Sequence, residues 1–376
     1  MTVSAKREAS AQARGLDPQL AALCTLLRPA LALEPQAGAA AMADAALVQF
    51  AVARHRVGPL LAHALALAGV EPVGSDASGM LAADCARSAR GAAQRQLAEM
   101  RARALLDRAG VGLVGIKGPA LAAALYGDAA LRPSRDIDLL IAPRDARTAL
   151  AALQAGGLRH VAHALAPQAD APSRPEGSLR RRVLEMRVFK DVELHDDPLD
   201  ATLELHGRLF AVEPHGFSER LRGENAELAD ASLTSDHYVL YLVLHGAVSF
   251  WPRLRWLADF AMLAGRIAPE RRARIVALAQ DYGAGPALAA SCGLCEQCFP
   301  GSIGPGWPLP EAGGHGVAHD LVARFLRQLT DHAPGAVHRP PTLSPLENPL
   351  LMVFGRRVSL AQIAGQRIAK SLMLRI

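Results

Sequence analysis

Apolar residues recur at helical spacing through the first hundred residues of the chain. Leu61 and Leu65 share one helical face after a Gly-Pro break. A longer helix is predicted over residues 82–108, where Arg and Glu side chains lie on one face. We expect its apolar face to include Leu97 and Met100. This part of the chain is therefore predicted to be helical throughout.

The pattern changes at Gly110, where short β-prone segments begin to alternate with short helices. Helices are predicted at 120–126 and 144–153. Short β-prone runs predict strands at 111–116, 136–142 and 158–164. Period-two alternation predicts strands at 184–195 and 201–210, joined as a hairpin at the turn 196–198. These segments predict a small mixed β-sheet.

Helical spacing returns after Pro214, which makes the expected fold class α+β: a small mixed sheet flanked by N-terminal and C-terminal helical regions. Helices are predicted at 236–248, 253–266, 268–282, 284–298 and 316–331. We divide the chain into a flexible N-terminal tail (1–17), an N-terminal helical region (18–109), a mixed core (110–214), a C-terminal helical domain (215–332), and a Pro-rich connector with a basic amphipathic C-terminal segment (333–376).

Composition narrows the class of protein. The chain of 376 residues is 51% hydrophobic and 20% charged, which excludes a wholly disordered protein. It lacks an apolar stretch long enough for a transmembrane helix, and its N-terminus is polar, so we expect a cytoplasmic protein. The final segment is expected to pack as a helix or to contact a partner or a membrane surface peripherally.

The net charge of +5 is too small for a dedicated DNA-binding protein, and aromatic residues are scarce at 4%. Both observations argue against a nucleic-acid partner, whereas an anionic small ligand such as a nucleotide fits. Only four of the 41 basic residues are lysines, namely Lys6, Lys117, Lys190 and Lys370. Lysine and arginine are not interchangeable at a phosphate, so each lysine is of interest.

Three of the five cysteines are spaced as Cys292-x-x-Cys295-x-x-Cys298. This spacing is typical of metal or iron–sulfur sites. The flanking residues form an apolar helical segment, however, and residues at i, i+3 and i+6 span too wide an arc for one tight metal centre. We therefore interpret these cysteines as part of a buried helix, with a metal or redox site as the alternative.

Three acidic side chains are candidates for metal-dependent chemistry. Asp136 and Asp138 alternate with Ile137 on a predicted strand, so both carboxylates project from the same face. Two such carboxylates repel each other unless cations lie between them, and Mg²⁺ is a suitable cation. Glu204 and His206 share a face of the later hairpin strand. If that strand lies beside the first, Glu204 completes a carboxylate triad for two-metal phosphoryl chemistry.

A glycine-bracketed turn precedes these acids in the sequence. Gly115, Lys117 and Gly118 lie between a predicted strand and a predicted helix. Free backbone N–H groups and the positive end of the helix dipole make such a turn suitable for a phosphate. Lys117 is either a phosphate contact or a residue without that role, which lies at the surface or bonds a helix carbonyl or a carboxylate of the fold.

These motifs resemble an uncharacterised bacterial nucleotidyltransferase family of the DNA polymerase beta superfamily. The segment KGPALAAALYGDAALRPSRDIDLLI is similar to that family's KG…Y…R…DIDLLV signature, and TLELHGRL is similar to its DLHWRL strand. His245 with the segment WPRLRWLAD is similar to its helical stretch. The resemblance covers residues 50–300 approximately.

The resemblance implies a metal-dependent nucleotidyltransferase whose acceptor attacks the α-phosphate of a nucleoside triphosphate. It assigns the catalytic and metal-binding roles, with Mg²⁺ or Mn²⁺ as the ion, to Asp136, Asp138 and Glu204, and it assigns nucleotide contacts to Gly115, Lys117, Gly118, Arg132 and His206. For His206, a structural position on the sheet is the alternative. The chain departs from the superfamily in two places: Lys117-Gly118 replaces a Gly-Ser turn, and the third acid is Glu rather than Asp.

Three functions are compatible with these features. The first is transfer of a nucleoside monophosphate, with ATP as the expected donor, to a small molecule, peptide or protein, as in natural-product tailoring. The second is an inactive module of the same fold that still binds a nucleotide or peptide, which the altered phosphate turn would explain. The third is a nucleic-acid-modifying enzyme, against which charge and composition argue.

Overall fold

The computed structural model describes residues 16–34, 42–161, 179–214, 216–228, 230–311, 316–330 and 349–375. Several sequence-based expectations lie outside these ranges: Lys6 and the N-terminal tail up to residue 15, the end of the predicted strand 158–164, and the connector up to residue 348. None of the described helices is both long enough and apolar enough to cross a membrane.

Along the sequence, the described elements follow the predicted order: helices, then short strands with helices between them, then helices again. The helices are α1 (Pro18–Leu27), α2 (Ala45–Gln49), α3 (Gly58–Ala68), α4 (Ser75–Arg108), α5 (Pro119–Tyr126), α6 (Ala146–Ala155), α7 (Leu179–Phe189), α8 (Phe217–Glu224), α9 (Asp236–Val248), α10 (Leu254–Arg266), α11 (Pro269–Asp281), α12 (Gly285–Cys298), α13 (Val317–Thr330), α14 (Pro349–Phe354) and α15 (Leu360–Arg375). The strands are β1 (Leu113–Gly115), β2 (Asp136–Ile141), β3 (Arg159–His160), β4 (Asp191–Asp196) and β5 (Ala201–His206).

The chain forms two compact units. The first unit, made of residues 1–89, 130–133 and 240–355, contains helices only in its described part. The second unit, made of residues 90–129, 134–239 and 356–376, contains the sheet and the helices that pack on it. Within the described ranges, the strands are confined to the centre of the sequence, as expected, and the fold is α+β.

The sheet of the second unit is mixed, with strand order β1-β2-β5-β4-β3. β2 and β5 run parallel, and the other three pairings are antiparallel. One face of the sheet is apolar: Ile137, Leu139, Leu203 and Leu205 are at most 2% exposed and belong to the hydrophobic core of this unit. Side chains alternate between faces, so the residues between these positions share the opposite face.

The structure corrects the predicted strand at 184–195. Residues Leu179–Phe189 form helix α7, and the strand begins only at Asp191. Leu179, Val183 and Met186 recur at helical spacing and pack against the core of the sheet. The period-two pattern corresponds to a strand from Asp191 onward. Before Asp191, packing against the core favours a helix instead. β4 and β5 do form the predicted hairpin.

The apolar face predicted for the long helix is also wrong. Leu97 and Met100 are 54% and 60% exposed. The buried stripe is instead Ala98, Ala102 and Leu106, at i, i+4 and i+8, and these residues join the core of the second unit. Alanine allows the helix axis to approach the neighbouring elements closely, and in an Ala-rich helix large side chains alone do not identify the packed face.

Helix α12 of the first unit carries the three closely spaced cysteines. Cys292, Cys295 and Cys298 are all buried, and Cys295 Sγ lies 3.3 Å from Ser302 Oγ. Burial raises the pKa of Cys292 and of Cys295 above the ordinary value, and a hydrogen bond to Cys24 together with burial raises that of Cys298. These thiols are protonated parts of a helical core, as the sequence analysis favours.

We predict that the α12 thiols resist alkylation in the folded protein, because only the thiolate is nucleophilic and these thiols are protonated and inaccessible. Iodoacetamide at pH 8, followed by mass spectrometry, is expected to leave Cys292, Cys295 and Cys298 unmodified in buffer and to modify them in urea. Rapid labelling of any of the three in buffer, or zinc that copurifies at one equivalent, would contradict this interpretation.

Candidate functional site

Strand register brings the predicted acids onto one face of the sheet. Asp138 on β2 pairs directly with Glu204 on β5, and Glu204 pairs with Glu193 on β4. Directly paired residues project from the same face, so these three carboxylates form one row across the polar side. His206 and Asp191, which lie two residues from Glu204 and Glu193 on the same strands, pair with each other and form the next row on this face.

Asp138, Glu204 and His206 converge most closely. One ligand atom from each of these side chains lies within 4.8 Å of the others. His206 Nε2 is 3.1 Å from Asp138 Oδ1 and 3.4 Å from Glu204 Oε2. Asp138 and His206 are each 2% exposed, whereas the Glu204 side chain is 29% exposed. The cluster is thus buried at one end and open to solvent at its glutamate.

His206 is surrounded by charged groups. Burial and the nearby charge of Lys190 both act to lower the pKa of His206. The hydrogen bonds to Asp138 and Glu204 and the charge of Asp191 outweigh them, so that its pKa is raised above the ordinary value. The raised pKa favours the protonated ring, whose positive charge compensates the adjacent carboxylates.

Lys117 also contacts this cluster. Its Nζ atom lies 3.2 Å from Asp138 Oδ1, the same oxygen that His206 contacts. Lys117 is mostly buried, with its side chain 14% exposed. Of the two alternatives left open by the sequence, this geometry matches the ion pair with a carboxylate of the fold, and the ammonium group lies directly beside the acids.

The two glycines of the turn have different structural roles. Gly118 adopts φ +90° and ψ −150°, a conformation that L-residues rarely adopt, and Pro119 then begins α5. At Gly115, a Cβ atom would overlap the carboxylate of Asp230 and the guanidinium of Arg103, so these two side chains would have to shift. The backbone of the turn therefore favours glycine at position 118, whether or not the turn binds a phosphate.

Asp136 lies at the first position of β2, on the same face as Asp138 but outside the closest cluster. The Oγ atom of Ser134 is 3.2 Å from its Oδ1 atom. Arg95 of α4 is close enough for its charge to interact with Asp136, although burial lowers the pKa of this arginine. The structure thus groups Asp138 and Glu204 with His206, and it places Asp136 beside a cation from the long helix.

Arg132 belongs to the first unit, where it pairs with Asp259 of α10. Its Nε donates to Asp259 Oδ2 at 2.7 Å, and the two side chains are only 4% and 8% exposed. This buried ion pair is a structural reason for an arginine at position 132. Its predicted role in nucleotide binding remains a prediction.

Sequence analysis did not identify Lys190, Asp191 and Glu193 as members of this surface. Asp191 Oδ2 lies 3.6 Å from His206 Nδ1, and Lys190 contacts both Asp191 and His206. The alternation of β4 was a usable signal for the two acids, because paired hairpin positions share a face. For Lys190 the only signal was the rarity of lysine in the chain.

The donor set fits a divalent cation. Two carboxylates and one imidazole suit Mn²⁺ or Zn²⁺ at least as well as Mg²⁺, which prefers oxygen ligands alone. No other group of His, Cys, Asp and Glu with this convergence is found in the described ranges. The residues present are therefore compatible with the ion that the sequence analysis expects.

Comparison with known families decides the class of the protein. The sequence profile of a family described as uncharacterised nucleotidyltransferase matches residues 42–300, more than half of the chain. The chain belongs to this family. Neither a curated protein nor a solved structure is similar enough to this nucleotidyltransferase to match it. Family membership therefore supports a transferase with a nucleotide substrate, without specifying the acceptor.

We predict that Arg132 of this nucleotidyltransferase is needed for stability. Arg132→Met leaves the Asp259 carboxylate buried without this cation, which costs on the order of 3–5 kcal/mol. The free energy of unfolding of the first unit, measured with urea, should fall accordingly.

Arg159→Met is the control for loss of an exposed ion pair, because Arg159 and its partner Asp197 are 52% and 57% exposed. Its loss should lower the free energy of unfolding far less than the loss of Arg132 does, since exposed ion pairs contribute little. Unchanged stability of Arg132→Met together with weakened ATP binding would assign Arg132 to the nucleotide instead.

Proposed function

We propose that this nucleotidyltransferase transfers a nucleoside monophosphate, with ATP as the first candidate donor, to a hydroxyl group of an acceptor in a metal-dependent reaction. The observation that carries the proposal is the convergence of Asp138, Glu204 and His206 on paired strands of one polar sheet face. Family membership supports it independently.

Asp138 and Glu204, with His206 or Asp136, are the residues that would hold the divalent ion. Such an ion supplies Lewis-acid stabilisation of the charge on the phosphoryl oxygens. Neutralising the carboxylates by an ion also replaces the compensation that Lys117 and His206 give Asp138 in the described structure. When the ion binds, it would therefore take the place of Lys117 and His206 as the cationic partner of Asp138.

The acceptor hydroxyl oxygen would form a bond to the α-phosphorus while the bond to the bridging oxygen of the β-phosphate breaks and pyrophosphate leaves. Glu204 is suited to take the hydroxyl proton, because it is the most exposed member of the cluster and lies in the same row as Asp138. A buried acid such as Asp138 is less accessible to an incoming acceptor.

The turn before α5 is the proposed site of the triphosphate. Backbone N–H groups at the beginning of α5 and the ammonium group of Lys117 provide positive charge next to Asp138. Lys117 would then contact the Asp138 carboxylate in the described structure and a phosphate when the nucleotide is bound. The role of Gly115 is to permit the close packing of this turn.

A nucleotide-binding module without transfer activity is the second candidate. The contact between Lys117 and Asp138 favours it, because an ammonium group already occupies the oxygen that an ion would use. The two candidates differ in one measurable property: an inactive module binds nucleotide without releasing pyrophosphate.

We predict that Asp138→Asn and Glu204→Gln each reduce nucleotidyl transfer at least about 100-fold, since loss of even an indirect partner of a metal site costs 10–100-fold. Pyrophosphate release with ATP, Mg²⁺ or Mn²⁺ and an acceptor mixture is the assay. Electron paramagnetic resonance of added Mn²⁺ should show the loss of ion binding in parallel.

Asp200→Asn is the control, because this carboxylate precedes β5 in the same hairpin and is 88% exposed. Its activity and ion binding should match those of the unsubstituted chain. If ATP binds but no pyrophosphate is released by the unsubstituted protein, the inactive module is the correct description. Retention of ion binding by both variants would refute the assigned ligands.

We further predict that Lys117→Met weakens ATP binding at least about tenfold while it changes AMP binding little, because the β- and γ-phosphates carry the contact. Isothermal titration with each nucleotide measures the two affinities. Arg144→Met, an 83% exposed cation before α6, provides the control for a general loss of positive charge. Equal losses for ATP and AMP, with a lower thermal midpoint, would show that Lys117 acts only on Asp138.

A further inference from the structure

All the described lysines converge on one region of the second unit. Lys117 contacts Asp138, Lys190 contacts Asp191, and Lys370 interacts with both Lys190 and Asp191. The fourth lysine of the chain, Lys6, lies outside the described residues. In a chain whose other 37 basic residues are arginines, this grouping of lysines at one surface is unlike the rest of the sequence.

Lys190 is held in an unfavourable backbone conformation. It follows α7 directly with φ +86°, in the left-handed region where glycine is usual. Such a conformation is strained for a non-glycine residue and is found preferentially at functional sites. The resulting orientation places its ammonium group against Asp191 and 3.4 Å from His206 Nδ1.

Lys370 reaches the same place from the C-terminal helix. Helix α15 packs against α7, where Gln366 donates a hydrogen bond to the carbonyl of Val188. The Nζ atom of Lys370 lies 5.4 Å from the centre of the Phe189 ring. Burial lowers the pKa of Lys370, Asp191 opposes this, and the charges of Lys190 and Arg208 lower it further.

The cluster has an excess of positive charge. Lys370 interacts with two other cations, Lys190 and Arg208, and with a single carboxylate, Asp191. Glu213 also interacts with Arg208, but its oxygens already accept hydrogen bonds from Ser218. Even with Glu213 fully ionised, the three cations outnumber the two acids. Partly buried like charges are unfavourable unless an anion lies among them.

The position of this cluster relates it to the acceptor. In the sheet order, the turn with Lys117 follows β1 at one side of the Asp138–Glu204 pair, and Lys190 precedes β4 at the other side. Between the two sides, Lys117 Nζ lies 3.2 Å from Asp138 Oδ1, His206 Nε2 lies 3.1 Å from the same oxygen, and Lys190 Nζ lies 3.4 Å from His206 Nδ1. In-line displacement requires the leaving pyrophosphate and the attacking hydroxyl on opposite sides of the α-phosphorus.

We propose that Lys190, Arg208 and Lys370 form a binding site for an anionic group of the acceptor, and that this group is a phosphate monoester. That the ligand of this site is the acceptor rests on the proposed function. A phosphate monoester presents three strong acceptor oxygens, one for each of the three cations, whereas a carboxylate presents only two. Lysine ammonium groups bind phosphate as point charges.

Inorganic phosphate is the probe for this site. It is titrated calorimetrically into the full chain saturated with Mg²⁺ and a non-transferable α,β-methylene analogue of ATP, so that the turn near Lys117 is already occupied. Phosphate should bind, and Lys370→Gln should lower its affinity at least about tenfold by removing one charge-assisted contact. Lys370→Arg should keep most of the affinity, and acetate should bind at least about tenfold more weakly than phosphate.

Arg367→Gln is the matched control, because Arg367 is an exposed cation one turn earlier on α15. Its phosphate affinity should be unchanged. If Lys370→Gln fails to fold, judged by its thermal midpoint, Lys190→Gln replaces it with the same expected loss. Phosphate affinity that is equal in the lysine variants and the unsubstituted chain would overturn the site, and acetate binding as tight as phosphate binding would overturn the phosphate assignment.

The same titration separates this inference from the proposed function. Binding of the ATP analogue is measured first, and its absence would contradict the proposed function alone. Phosphate is then titrated into nucleotide-free Lys117→Met protein, which lacks the competing ammonium group at the turn. Binding that depends on Lys370 in this background supports the anion site, and binding that does not depend on it refutes the site.

Discussion

The parallel pairing of β2 with β5 is the constraint on which the candidate site depends. It sets Asp138 opposite Glu204, and a slip of one residue would move one of the two carboxylates to the other face of the sheet. The apolar face of the sheet fixes this register, because Ile137, Leu139 and Leu203 are buried in the core of the second unit. Burial of apolar side chains on one face thus determines where the charged side chains meet on the other.

Charge compensation follows from this arrangement. Acids held in adjacent positions by the strands repel one another, and the structure answers with cations from separate elements. Lys117 arrives from the turn before α5, and His206 from β5 itself, and both contact the same oxygen of Asp138. A ligand that binds these acids must replace such contacts, so the affinity of the site for an ion depends on how readily the cations move to other partners.

Much of this arrangement is visible in the sequence, and the parts that are not have physical reasons. Alternation placed Asp136 with Asp138 and Glu204 with His206 on common faces, but alternation carries no information on which strands are neighbours. The helix at Leu179–Phe189 was missed because its packed stripe overlaps an apparent strand pattern. Arg132 lies near the acids in sequence, yet its ion pair joins it to a residue 127 positions away, which no local pattern predicts.

The choice between lysine and arginine gives a final connection between sequence and site. Arginine presents a planar fork that needs room and several acceptors, whereas an ammonium group is compact and loses its charge more readily when it is buried. The cations around His206 and Asp191 must fit between side chains that lie within 4 Å of one another. Lysine satisfies this requirement, and arginine suits the buried pair with Asp259, where one fork meets one carboxylate. Lys117 and Lys190, which are far apart in sequence, thus lie where a compact ammonium group fits between closely spaced side chains.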